Sequence, residues 1–246
     1  MITSRQNEFV KRVASLKEKK YRRLYGEYVA EGAKQVREAV AAGKEISCIV
    51  VSSAYAGERP EGCVEVSAEV FSKLSGEAAP QGILAVLKLR EPPFAPPAGK
   101  CLLLDGVSDP GNLGTIVRTA NAAGYEDIYL LGCTDPYAPK CVRAAMSGHF
   151  FVRLHAAPSL DALTGEGGPL AGLSLICADM GGEDVFSFSP PQRFALVIGN
   201  EADGVSAAVR ERCAYTVRVP MRPCCESLNA AVSAGILMYA LAGRGA

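Results

Sequence analysis

Short apolar runs, each closed by glycine, proline or a small polar residue, divide this chain into alternating strands and helices. Phe9, Val13 and Leu16 recur at three- and four-residue spacing and predict a helix over 5–25. Residues 28–32 read as a strand closing on Gly32, 33–42 as a helix stopped by Gly43, and 46–52 and 64–66 as strands. A short helix over 68–74 and a strand over 83–89 complete a small α/β unit. Pro92, Pro93, Pro96 and Pro97 then forbid both helix and central strand, so residues 90–99 form a semi-rigid linker between units 1–89 and 100–246.

The second unit carries continuous apolar runs, the pattern of strands buried on both faces. They fall at 101–105, 128–131, 150–154, 173–178, 194–198 and 216–219, with helices after 112 and over 138–147. Leu113, Ile116, Val117 and Ala120 mark one apolar helical face, Asn112 is a candidate N-cap, and Arg118 lies off the stripe. Ser227 opens a last helix that is rich in small residues. Alternating strands and helices imply a parallel sheet with helices on both faces. In such sheets ligands sit outside the carboxyl ends of the strands, where Gly199-Asn200-Glu201 and the polar loop before Ser227 fall.

Charge and composition narrow the chemistry. The formal net charge is zero, so no global field points to a polyanion, yet Lys17, Lys19, Lys20, Arg22 and Arg23 cluster near the N-terminus with Tyr21 and Tyr25 among them. That run fits either a solvated helix face or an RNA contact in which the aromatics stack on bases. The nine cysteines show no metal-type spacing, and with no apolar leader they fit free thiols in a reducing cytoplasm. No run is long enough to span a membrane. There is no GxGxxG, no Walker A sequence and no GxSxG elbow. The two histidines, His149 and His155, read as structural.

Three segments together carry a resemblance: DGVSDPGNLGTIVRTANAAG (105–124), LVIGNEADGVS (196–206) and VPMRPCCESLNAAVSAGILMY (219–239). They resemble the three motifs of the SpoU (TrmH-like) branch of the SPOUT RNA methyltransferases in order, spacing and flanking strands. Residues 1–89, with EGAKQVREA and PQGILAVL, resemble the L30e-like substrate-binding domain of rRNA-modifying members. One departure is Arg222-Pro223-Cys224-Cys225, where the family usually has a glycine-containing loop.

The resemblance implies an α/β fold with an L30e-like N-terminal domain and a C-terminal parallel sheet tied in a deep trefoil knot. It implies a homodimer, no metal, and S-adenosylmethionine-dependent methylation of an RNA ribose 2'-hydroxyl, with large-subunit rRNA expected over tRNA. The competing readings are a non-catalytic dimeric RNA-binding protein and an ordinary nucleotide-binding enzyme. By the same resemblance the catalytic set is Arg118, Asn112, Glu201, Ser227 and Asn229, with Glu201 holding Arg118 in an ion pair. Contact with the cofactor falls to Gly199, Val219, Leu228 and Leu131. The basic cluster of Lys17, Lys19, Lys20, Arg22 and Arg23 is expected to meet RNA. The last helix is expected to help form the dimer.

Overall fold

The computed structural model describes residues 1–225 and 227–242; Glu226 of the third motif and residues 243–246 lie outside the described residues. The helix expected over 5–25 is two helices, α1 (Glu8–Ser15) and α2 (Lys19–Tyr25). They separate because Val10, Val13 and Leu16 are drawn into a core and the chain must turn once Leu16 is buried. The guanidinium of Arg22 meets the turn, donating to the carbonyls of Leu16 (2.7 Å) and Lys17 (2.8 Å) at the end of α1.

β1 (Glu27–Glu31), α3 (Ala33–Ala41), β2 (Ile46–Ser52), β3 (Val64–Val66), α4 (Ala68–Leu74) and β4 (Ile83–Lys88) follow nearly where the pattern puts them. Their sheet runs in the order β1-β4-β2-β3 and is mixed, with β4 antiparallel to both neighbours and only β2–β3 parallel. Strand direction is set by which strands become neighbours, and β4 inserts between β1 and β2.

The second sheet is wholly parallel, in the order β10-β8-β9-β5-β6-β7. Its strands are β5 (Cys101–Asp105), β6 (Asp127–Leu131), β7 (Arg153–Ala157), β8 (Ser174–Asp184), β9 (Phe194–Ile198) and β10 (Tyr215–Arg218). β5 is central and fully buried. Its alternate residues feed two cores, Leu102 and Leu104 on one face and Cys101 and Leu103 on the other. α5 (Pro110–Ala122) and α9 (Ala230–Ala242) cover the first face, while α7 (Leu160–Thr164) and α8 (Ala207–Arg210) are short. β7 starts three residues later than expected. After α6 (Pro139–Ala145) the chain makes a 3-10 turn over Met146–Phe150, and Phe150 leaves the sheet to pack against the first unit.

The two units share a core. Tyr28, Val36, Ala39, Ile83 and Leu87 of the first pack with Val142, Phe150 and Tyr137 of the second. The proline-rich segment lies along the second unit, where the Ala95 carbonyl accepts from Tyr129 Oη at 2.6 Å and Phe94 meets Tyr129 edge-on.

Candidate active site at the carboxyl edge of the parallel sheet

Three loops leave the carboxyl ends of adjacent strands and meet. The loop after β5 enters α5, whose N-cap is Asp109 rather than Asn112. The Asp109 carboxylate accepts from Asn112 N–H at 2.8 Å, and Pro110 takes the first helical position, where no N–H is needed. Lys140 Nζ donates to Asp109 at 2.6 Å and, first among several hydrogen bonds, holds that carboxyl below its usual range.

The turn after β9 closes on itself. Asn200 and Gly204 exchange backbone hydrogen bonds at 2.9 and 3.0 Å, and Asn200 Oδ1 accepts from Ala202 N–H. A Cβ at Gly199 would lie 2.1 Å from the Gly204 carbonyl carbon, so the turn itself demands glycine there. Asn200 Nδ2 donates to the Gly106 carbonyl at 2.7 Å, and Asp105 Oδ2 accepts from Ser206 N–H at 2.8 Å. These bonds fasten the second motif onto the first.

Glu201 is the centre of the arrangement. Its Oε2 accepts from Ser108 N–H (3.1 Å) and Ser108 Oγ (3.0 Å). Its Oε1 accepts from Asp109 N–H (3.2 Å) and from the Asn112 amide (2.9 Å). Partial burial would raise the carboxyl, but the bonds from Asn112, Ser108 and Asp109 together outweigh it and bring it down to about 2. Asn112 Oδ1 in turn accepts from Asn229 Nδ2 at 3.0 Å, and Asn229 Oδ1 accepts from Ala231 N–H (2.9 Å) and Val232 N–H (3.3 Å) at the start of α9. One chain of side-chain hydrogen bonds thus joins all three motifs. Asn229, not Ser227, caps α9. The ion pair expected between Glu201 and Arg118 is absent among the described residues, because the carboxylate is already taken by backbone and amide donors.

Beside this chain lies a cavity of about 320 Å³, within the usual size range of small-molecule sites. Ile198, Val217, Val219, Leu228 and Leu237 give it apolar walls, and residues Gly199–Gly204 give it a polar rim. Asp179 and Met180 also line it. They reach it because β8 steps from Cys177 to Glu183 while its partner β10 advances one residue, which throws 178–182 outward. Ser227 lines the cavity and, among the described residues, its hydroxyl has no hydrogen-bond partner. A larger hollow of about 540 Å³ opens at the opposite edge, where the strands begin. The smaller one is the candidate, since the motifs converge there and ligands of parallel sheets bind at the carboxyl ends.

Of the expected cofactor contacts, Gly199, Val219 and Leu228 line the cavity, whereas Leu131 does not and packs beside the core on the other face of the sheet. Arg118 is exposed on α5, outside the cavity, with no side-chain partner among the described residues. Lys19, Lys20 and Arg23 are exposed on α2. Lys17 Nζ is held by the carbonyls of Lys73 (2.8 Å) and Ser75 (2.6 Å). Arg22 departs from the expected RNA face: it is buried and paired with Asp135 at 2.5 Å. Sequence reasoning missed Asp105, Ser108 and Asp109. The Asp-Pro step at 109–110 carries the helix-start signal that marks Asp109 as the cap. Among the described residues no group of three or more His, Cys, Asp or Glu is placed to hold a metal ion, and no helix is long and apolar enough to cross a membrane.

Comparison with known proteins agrees with this geometry. Residues 99–239 match the SpoU rRNA Methylase family and residues 7–85 an MRM3-like substrate binding domain. The chain is 36% identical over 250 residues to a 23S rRNA (guanosine(2553)-2'-O)-methyltransferase, RlmP, of Bacillus subtilis, covering 98% of this chain and 99% of that protein. An AdoMet-bound rRNA methyltransferase from Sinorhizobium meliloti superposes with a TM-score of 0.85 at 29% identity, covering 97% of this chain and 95% of that one. AviRb, a SpoU methyltransferase from Streptomyces viridochromogenes in complex with AdoMet, superposes at 0.82 with 26% identity, covering 97% and 98%. With the fold, the motif order and the matched span in agreement, this chain belongs to the SpoU rRNA Methylase family.

Proposed function

We propose that the protein is an S-adenosylmethionine-dependent RNA ribose 2'-O-methyltransferase acting on large-subunit rRNA. The observation that carries this reading is the Glu201–Asn112–Asn229 hydrogen-bond chain, which assembles three motif loops around one cavity. The cavity fits the cofactor in chemical kind. Val219, Leu228 and Ile198 suit the faces of an adenine, and the backbone of the 199–204 turn suits its edge. When bound, the cofactor supplies an electrophilic methyl group on a sulfonium.

The protein's own residues must then align a ribose hydroxyl with that methyl group. Ser227 lines the cavity with a hydroxyl that has no hydrogen-bond partner among the described residues. Glu201 stays ionised and acts by holding the loops. The guanidinium of Arg118 serves to bind the target phosphate and stabilise the developing alkoxide. In one chain it stands outside the cavity, so the site is completed by Arg118 from a second copy. The exposed stripe Val232 and Tyr239 on α9 supports a homodimer face next to α5. The N-terminal unit, 1–89, presents Lys19, Lys20 and Arg23 to the RNA and is joined by the 90–99 linker to the catalytic unit 100–246. That catalytic unit is knotted, and the enzyme works in the cytoplasm on assembling ribosomal RNA.

The test is methyl transfer from labelled S-adenosylmethionine into unmodified rRNA and tRNA, with wild type and Arg118→Ala. Label at an rRNA ribose, reduced about 10²–10³-fold in the variant, is the expected result. Cofactor binding by calorimetry should survive in the variant. Label in tRNA alone would overturn the substrate, and no transfer with no cofactor binding would overturn the enzyme.

A further inference from the structure

Arg22 is buried in the first unit, but its anion, Asp135, belongs to the loop after β6 in the second, and their side chains are only 4% and 15% exposed. The same guanidinium closes the end of α1 and sits within α2, the helix that carries Lys19, Lys20 and Arg23. Asp135 is equally well tied on its own side. Its Oδ1 accepts from Tyr137 N–H at 2.9 Å, and the neighbouring Thr134 N–H donates to the Val107 carbonyl at 2.9 Å, one residue from Ser108.

α6 then continues the connection to α5. Lys140 holds the α5 N-cap, and a Cβ at Gly114 would stand only 2.3 Å from the Cys141 carbonyl oxygen. A Cβ at Gly148 would stand 3.1 Å from Arg118 Cα. The basic helix and the arginine of the first motif are therefore linked by a buried ion pair and one helix, beside the apolar core that the two units share. A buried pair of this kind adds little net stability over an apolar pair, yet the planar guanidinium, spanning Asp135 and two α1 carbonyls, fixes geometry.

We propose that Arg22 is a positioning residue that, through Asp135, sets the orientation of the basic N-terminal unit against the catalytic edge and so selects which ribose of the bound RNA is methylated. This rests on the function proposed above. It places Arg22 in substrate selection without RNA contact, and leaves Lys19, Lys20 and Arg23 as the contacting cations.

The experiment compares wild type, Arg22→Lys and the neutral double variant Arg22→Met/Asp135→Asn, which leaves no uncompensated buried charge. Thermal melting and cofactor affinity are read alongside RNA kinetics and the mapped position of the methyl group. The double variant is expected to melt as a folded protein and bind cofactor like wild type. Its kcat/KM for rRNA should fall, up to about a hundredfold, and methylation should spread to neighbouring riboses. Arg22→Lys, which keeps the charge but not the fork, should recover part of the loss. A double variant with wild-type kcat/KM and a single product position overturns the proposal, as does one that loses cofactor affinity in parallel. If wild type itself transfers no methyl group to any RNA, the functional reading fails separately. Small-angle scattering then decides the orientation role: a profile unchanged in the double variant overturns it, and an expanded one supports it.

Discussion

Glu201 shows how a single side chain is assigned its task by its neighbours. Four donors converge on its carboxylate, and the carboxyl falls from an ordinary value of 4.5 to about 2. A group whose folded pKa is depressed contributes stability that is complete above the unfolded value and is lost as pH falls toward the folded one. The melting difference between wild type and Glu201→Gln should therefore stay constant from neutral pH to about 5 and close between about 4.5 and 2. A gap that closes near pH 7 would mean that Glu201 is not held as described. Asn112 is oriented from both sides, donating to Glu201 and accepting from Asn229. Asn112→Asp should be worse than Asn112→Ala in methyl transfer, because it sets a second carboxylate against the first.

At the scale of elements, α5 and β5 carry the site and tolerate little change. Leu103 of β5 is fully buried among Leu175, Val197 and Val209, so Leu103→Ala should destabilise by about 2–5 kcal/mol in chemical denaturation. Gly114 of α5 lets the α6 backbone approach, and an added methyl would meet the Cys141 carbonyl oxygen at 2.3 Å and Ala144 Cβ at 2.7 Å. Backbone cannot move aside as a side chain can, so Gly114→Ala should cost about 1–3 kcal/mol and shift Arg118 with the helix. A variant with full stability and full activity would show that α5 and α6 are farther apart. These elements were legible beforehand. β5 and β9 each read as continuous apolar runs because each is buried on both faces. The break between α1 and α2 was not legible, since Leu16 and Lys17 suit a continuous helix and only the core beneath ends it.

For the whole molecule, the testable claim is that one chain is catalytically incomplete. Under the proposed function one subunit supplies Ser227 to the site and the second copy supplies Arg118. Mixing two inactive proteins, Arg118→Ala and Ser227→Ala, should restore activity, because exchanged dimers contain one site with both residues intact. Sedimentation should report a dimer for each parent. Mixed variants that exchange subunits yet stay inactive would place both residues in one chain's site.

The amino-acid sequence alone determined most strands and the three motif loops, because these follow from local burial patterns and turn chemistry. It also placed Gly199, Val219, Leu228 and Ser227 at one edge, since all follow the carboxyl ends of readable strands. The tertiary structure decided the partners. Glu201 meets Asn112 across 89 residues and Arg22 meets Asp135 across 113, and no local pattern encodes such pairs. For the same reason the first sheet is mixed, Leu131 turns to the other face, and a residue of the basic run is buried. Charge pattern reports which groups must be paired or solvated, and only packing reports with what.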